Sequence, residues 1–407
     1  MAFIFKKKKN AKQLVESLLE HVAALPSESK VEEVAQRAVR NAESGNANPD
    51  LNKKSSRPLL SSNTGGDNVS PQVPTSADGA VGVGDGLSTT DLAALDGTEK
   101  RLAEIRVIFC GTADAGPKEE DSVALAKLLL EHDVPMKLLD KLGSVTFETR
   151  KDIVNVFNFL LQVTDPHDLQ MKISSYLKRS SRWVIVQLLH YYSMENLALH
   201  AGAMMRKCLL HQCLYLECLS DDMLVLNKFF DKFLQMDSFE ICSDAFATFR
   251  DILTQKKQLV SEFLENHYDR FFPKYTELLR SEQYVTQRQS LKLLSELLLD
   301  RQNYNTMIRF ISKKENLILV MNLMRVKSPA MRLEAFHVFK IFVANPQKTE
   351  EITEILQRNR DKLVTYLKNF STDREDSHFL EERKLLIKTM LALPPFEKSN
   401  QEVPAVS

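Results

Sequence analysis

Three segments of this chain carry one apolar pattern at a spacing of 45 residues. Phe246, Phe249, Ile252 and Leu253 fall in register with Leu291, Leu294, Leu297 and Leu298, and these with Phe336, Phe339, Phe342 and Val343. Inside each segment the spacing is that of one face of an α-helix. A helical self-similarity of about 40–47 residues marks armadillo and HEAT repeats, in which no unit buries its apolar face without a stacked neighbour. The pattern predicts an all-α, armadillo/HEAT-like helical-repeat solenoid. It continues upstream less regularly: Met205, Cys208 and Leu209 occupy it 44 residues before Phe249, and Val156, Phe159 and Leu160 another 49 before that. Loops of unequal length produce such drift. A repeat body over 98–395 holds about six units at this period. Its groove suits macromolecular binding better than chemistry.

Charge narrows the partners. Lys and Arg number 54, and so do Asp and Glu. Near neutrality there is no global attraction to nucleic acid or anionic lipid, so neither is expected as a partner. Five cysteines are present, and Cys208, Cys213 and Cys218, at intervals of five, match neither a zinc site nor a paired disulfide framework. They read as reduced core residues of a cytoplasmic protein. No apolar run approaches the roughly 18 residues of a membrane span. In the opening MAFIFKKKKN the charges follow a short apolar patch instead of preceding a longer one, which is not a secretory leader. Lys6 to Lys9 read as a solvated basic tip.

Glycine divides the chain. Ten of the 12 glycines lie between Gly45 and Gly116, and beyond residue 116 only Gly143 and Gly202 remain. Residues 44–97 have no aromatic side chain and are rich in Gly, Ser, Pro, Asn and Asp. Such a segment cannot bury enough surface to offset the entropy of ordering, and it is expected to be a disordered insert. It separates an N-terminal helical segment, 1–43, from the repeat body, 98–395, which a flexible tail, 396–407, follows. In the first segment, Leu14, Leu18, Leu19, Val22 and Leu25 have helical spacing, Pro26 and Ser27 break it, and Val31, Val34 and Val39 resume it. Helical signal returns at Glu99, so the insert reads as looping out of one helix. GVGDG at 82–86 lacks the Lys-Ser or Lys-Thr and the preceding strand of a phosphate loop.

Catalytic signatures are missing: there is no HExxH, GxSxG, helix-opening GxGxxG, HRD with DFG, or calcium loop. No cofactor or metal is expected. His211, near Cys208 and Cys213, is the nearest approach to a ligand cluster, and two of those three residues are expected to face the core. His267 and His337 read as satisfied structural histidines.

The runs SDAFATFRDILT, NHYDRFFPKY, SEQYVTQRQSLKLLSELLLDR and EAFHVFKIFVANPQKT resemble the calcium-binding protein 39 family, also called mouse protein 25. ETRKDIVNVFN, LALHAGAMMRKC and DSHFLEERKLLIKTMLAL are similar to it too. The resemblance implies an armadillo-like rod without enzymatic activity that stabilises the active conformation of protein kinases or pseudokinases of the germinal-centre or Ste-twenty-related type. A domain docks on the concave face, and a second site takes a Trp-Glu-Phe tail. The chain is then expected to be a monomer within heteromeric complexes.

Carried over residue by residue, the resemblance assigns the kinase contact to Phe239, Tyr284 and Arg288, and the tail pocket to Arg301, Met321 and Arg358. At Arg358 the family pattern has lysine, so charge is kept while an ammonium becomes a planar fork. From the residues alone, Tyr284 and Arg288 lie four apart at the start of a repeat helix and share a face, with a flat ring beside a rigid donor fork. The alternative is that Tyr284 packs on the neighbouring repeat and Arg288 forms a surface ion pair. For the tail site, the alternative is Met321 as plain core with both arginines solvated. The competing function is an armadillo-type adaptor for another protein cargo, which calls for basic or asparagine-rich rows along the groove.

Overall fold

The computed structural model describes residues 2–43, 86–112, 115–370 and 377–394. These residues contain helices and no strand, and the chain divides into two units, Met1–Cys213 and Leu214–Ser407.

The first unit holds α1 (Ala2–Ala23), α2 (Glu28–Glu43), α3 (Thr89–Cys110), α4 (Glu119–Glu131), α5 (Val134–Asp140), α6 (Phe147–Gln162), α7 (His167–Tyr192) and α8 (Glu195–Cys208). The break between α1 and α2 falls at Pro26 and Ser27, where proline removes a backbone donor. Helix α1 packs on α3, α3 on α6 and α6 on α8. The upstream register residues Val156, Leu160, Met205, Cys208 and Leu209 are buried in this series, and Phe159 stacks on Phe109 of α3 with ring centroids 4.0 Å apart.

The expected insert, 44–97, needs correction at its C-terminal end. Residues 44–85 lie outside the described residues, as does the tail, 396–407, whereas 86–97 are structured. Helix α3 begins at Thr89, ten residues before the first helical signal recognised in the sequence. Ser88 accepts from the Asp91 N–H and the Asp91 side chain returns a bond to the Ser88 N–H, a reciprocal cap that satisfies two orphan donors. A helix with its own cap is a separate element, so α2 and α3 are not two halves of one helix. Gly97 is no loop residue either: a Cβ built on it falls 1.6 Å from the His21 ring, so its bare backbone lets α1 lie close against α3.

The second unit contains α10 (Leu224–Asp231), α11 (Phe239–Thr254), α12 (Lys257–Asn266), α13 (Tyr268–Leu279), α14 (Tyr284–Leu299), α15 (Tyr304–Ile311), α16 (Lys314–Leu323), α17 (Pro329–Ala344), α18 (Glu350–Arg358), α19 (Arg360–Lys368) and α20 (Ser377–Ala392), while α9 (Gln212–Cys218) begins just before the division. The three segments in 45-residue register are α11, α14 and α17, and every one of their twelve register residues is buried. Helix α11 packs on α14, α14 on α17 and α17 on α20, a ladder of equivalent helices.

Rings join the rungs. Phe249 of α11 meets Phe230 of α10 at 5.3 Å and Tyr275 of α13 at 6.4 Å between centroids. Phe271 and Phe272 carry the contact to Phe310 of α15, which lies 6.2 Å from Phe342 of α17. Phe336 then meets Phe370 and Phe379 at 5.3 and 5.2 Å. Two tyrosine hydroxyls in this core are spent on backbone: Tyr275 donates to the Ser290 carbonyl at 2.7 Å and Tyr215 to that of Ile252 at 2.5 Å. Buried phenols need such partners, and these bonds also fix the rings between helices.

The close approach at Gly97 yields a test. Gly97→Ala should destabilise the protein by about 1–2 kcal/mol in urea unfolding, because overpacking against His21 outweighs the gain in helix propensity. With His21→Ala in place, the same substitution should become neutral or stabilising by up to about 1 kcal/mol. Equal effects in both backgrounds would show that α1 does not rest on this glycine.

Candidate functional site

Exposed aromatic residues in the second unit sit where the ladder leaves room for them. The apolar stripe of each rung is buried, so residues free to meet a partner lie at rung starts and on the outward faces. Phe239 and Tyr284 are the first helical residues of α11 and α14, and they expose 68% and 52% of their surface. They stand 45 residues apart, at the same level on adjacent rungs, so their backbones are separated by about one interhelical distance, roughly 8–10 Å.

Buried bonds hold that level. Thr286, two residues into α14, is fully buried and donates to the Leu234 carbonyl at 2.9 Å; its hydroxyl also lies 3.0 Å from Gln283 Oε1 and 3.8 Å from the Cys242 thiol of α11. Gln283 Nε2 donates to the Gln235 carbonyl at 3.3 Å and Gln287 Nε2 to that of Leu279 at 2.9 Å. The start of α14 is thus tied to the 3₁₀ turn Phe233–Gln235 ahead of α11. The Tyr284 hydroxyl lies 3.3 Å from Ser328 Oγ, the N-cap of α17, so the ring spans to the next rung while half of it stays in solvent. Arg288, one turn into α14, is exposed and forms no ion pair among the described residues. Of the two readings of this pair, the surface ion pair at Arg288 is not what the structure displays, and the Tyr284 contact with the neighbouring repeat is a hydroxyl contact at the rim.

The three residues expected to form a tail pocket, Arg301, Met321 and Arg358, lie on neighbouring elements. Arg301 opens the 3₁₀ turn Arg301–Asn303, which packs on α12, α14 and α15. Its guanidinium is exposed, and the adjoining Asp300 is engaged elsewhere: Lys257 bonds it at 2.6 Å and holds its carboxyl below the usual range. Met321 is half-buried on α16, which contacts α15, α17 and α18, and Arg358 ends α18. Met321 and Arg358 are therefore on helices that touch, and α15 contacts both α16 and the turn that carries Arg301. Met321 is neither plain core nor fully exposed. Arg358 is not simply solvated, since its Nη2 is bonded to Glu354 Oε1.

Further side chains stand exposed or paired at helix starts and junctions within each unit. Ser328 received no role because its bond to Tyr284 crosses 44 positions. Lys314, on the same helix as Met321, bonds Glu351 of α18 at 2.5 Å. In the first unit Phe147 opens α6 behind the Thr146 cap and is 55% exposed, with Lys151 Nζ 4.2 Å above its ring and His200 edge-on at 5.6 Å. A ring directly after a capping Ser or Thr lies outside the apolar stripe, and that is the sequence signal for Phe147 and Phe239 alike.

Histidines and cysteines serve packing. His211 Nε2 lies 2.7 Å from the Leu161 carbonyl, and His267 stacks on Phe263 with Nδ1 3.0 Å from that residue's carbonyl. His337 meets Phe336 edge-on. Cys208, Cys218 and Cys242 are buried thiols, and burial pushes that of Cys218 up to about 12; Cys213 is half-buried and Cys110 exposed. Among the described residues no group of His, Cys, Asp and Glu is gathered as for a metal ion, and no helix is long and apolar enough to cross a membrane.

Stacked helical repeats with exposed rings and cations at their margins define a helical-repeat scaffold of the protein-binding class. The sequence profile of the Mo25-like family matches residues 85–394, and the chain belongs to that family. It is 43% identical over 300 residues to the mouse (Mus musculus) calcium-binding protein 39-like, covering 72% of this chain and 86% of that protein. It is 42% identical over 292 residues to the Mo25-like protein of Schizosaccharomyces pombe, covering 71% and 86%. With MO25-like protein 2 of Caenorhabditis elegans it shares 42% over 301 residues, covering 74% and 87%.

The anchoring at α14 can be measured. Thr286→Val keeps the volume but takes the hydroxyl donor from the Leu234 carbonyl, which keeps only the weak Cys242 thiol at 3.5 Å, and should cost about 1–2 kcal/mol in urea unfolding. Arg288→Ala should stay within about ±0.5 kcal/mol of the parent. Comparable losses for the two would mean that Arg288 supports the fold.

Proposed function

We propose that the chain is a non-catalytic cytoplasmic scaffold that docks a protein kinase or pseudokinase domain on the face carrying Phe239, Tyr284 and Arg288 and holds it in the active conformation. The partner is of the germinal-centre or Ste-twenty-related type. Arg301, Met321 and Arg358 capture a C-terminal Trp-Glu-Phe tail, and the chain acts as a monomer in such heteromeric complexes. The observation that carries this reading is the pair of half-bare rings on adjacent rungs beside an arginine that forms no ion pair among the described residues, on backbone that buried bonds hold in place. Aromatic residues and arginine are the side chains most often found to dominate binding energy, and pre-fixed backbone reduces the entropy lost on docking. For the tail, two cations and an adaptable thioether suit a carboxylate between two rings.

Activation then follows from linkage. A scaffold that binds the active conformer more tightly than the inactive one shifts the kinase by the ratio of the affinities and leaves phosphoryl transfer untouched. A difference of about 1–3 kcal/mol gives roughly 5–150-fold.

Two substitutions separate the surfaces. Arg288→Ala should cost about 2 kcal/mol or more of kinase-domain affinity and most of the activation, with tail-peptide affinity unchanged. Met321→Ala should weaken a peptide ending in Trp-Glu-Phe by about 1–2 kcal/mol and leave the isolated kinase domain's affinity unchanged. Full activation by Arg288→Ala would remove the kinase surface from this face. No binding of the peptide to the parent protein at millimolar concentration would remove the tail site.

A further inference from the structure

We propose that Glu354 is an intrachain stand-in for the carboxylate of the tail peptide, and that displacing it sets the affinity of the site and its demand for an acidic residue. This rests on the tail-capture reading above and adds to it a residue that opposes binding.

Glu354 and Arg358 lie one turn apart on α18, with the glutamate on the N-terminal side, the favourable order for an i,i+4 pair. Their side chains are 43% and 56% exposed, so the pair stands at the surface within reach of an incoming chain. On the facing helix α16, Lys314 is bonded by Glu351, and that bond together with the charges of Glu351, Glu315 and Glu354 raises its pKa. The two glutamates of α18 therefore sit on the two cations that the α16 and α18 junction offers. Met321 lies seven residues after Lys314 on α16, two turns along the same face. Arg301, on its own turn, forms no ion pair among the described residues.

A guanidinium presents a planar fork that suits one carboxylate in bidentate geometry. A peptide glutamate directed at Arg358 must therefore evict Glu354 or share the fork with it, and sharing sets two like charges together. Exposed i,i+4 pairs are weak enough to be displaced, so the stand-in lowers affinity without blocking the site.

The test uses the full chain and two fluorescein-labelled nonapeptides, one ending in Trp-Glu-Phe and the other in Trp-Gln-Phe, titrated by anisotropy. Glu354→Gln should tighten the glutamate peptide by about twofold and leave the glutamine peptide unchanged. Glu350→Gln removes the same charge from the exposed first residue of α18 and should have little effect. In an Arg358→Ala background the gain from Glu354→Gln should vanish. The proposal is overturned if Glu354→Gln leaves the affinity unchanged or lowers it, if Glu350→Gln matches it, or if the gain survives loss of Arg358. Those outcomes leave tail capture standing. If neither the parent nor Glu354→Gln binds the glutamate peptide at millimolar concentration, tail capture itself fails and the stand-in falls with it.

Discussion

Everything in the second unit depends on rungs that cannot be buried alone. Phe249 is covered by rings from α10 and α13, and Phe310 carries the contact to Phe342 of α17. Each fully buried phenylalanine contributes about 1.5–3 kcal/mol, and because its neighbours lie on other helices the gain appears only when the rungs are stacked. Stacking also sorts the residues. Once every stripe is turned inward, the side chains left to meet a partner are those at rung starts and on the outer turns, where Phe239, Tyr284 and Arg288 stand.

A surface on such a framework is rigid where it needs to be. The first turn of α14 is held by Thr286, Gln283 and Gln287 against carbonyls of preceding turns, so the ring and fork it displays are already positioned. That is the property linkage requires: a scaffold selects one conformer of its partner only if its own surface does not adapt to both. The proposed tail site is built differently. Its cations lie on separate short elements, and one of them, Arg358, is engaged by its own helix.

The ladder could be read from the sequence because two periods coincide, the helical one within segments and the 45-residue one between them. The start of α3 is masked by Gly97, a residue type that ordinarily breaks helices. Gly97 is small on account of the His21 ring, a contact 76 positions away in the chain, whereas the Ser88 and Asp91 cap is a local signal. For the candidate surfaces, the residues came from resemblance, and the sequence supplied the shared face of Tyr284 and Arg288. The bond from Tyr284 to Ser328 and the pairing of α16 and α18 charges across helices are tertiary facts without a local signature.

The scaffold is proposed to prefer a kinase domain in its closed, active form. The direct measurement is the affinity of the protein for a germinal-centre-type kinase domain lacking its tail, by calorimetry, with and without a non-hydrolysable ATP analogue and magnesium. The account predicts tighter binding by roughly fivefold or more when the nucleotide closes the domain, and by reciprocity an equal gain in nucleotide affinity when the scaffold is present. Equal affinity for the nucleotide-free and nucleotide-bound domain would contradict it.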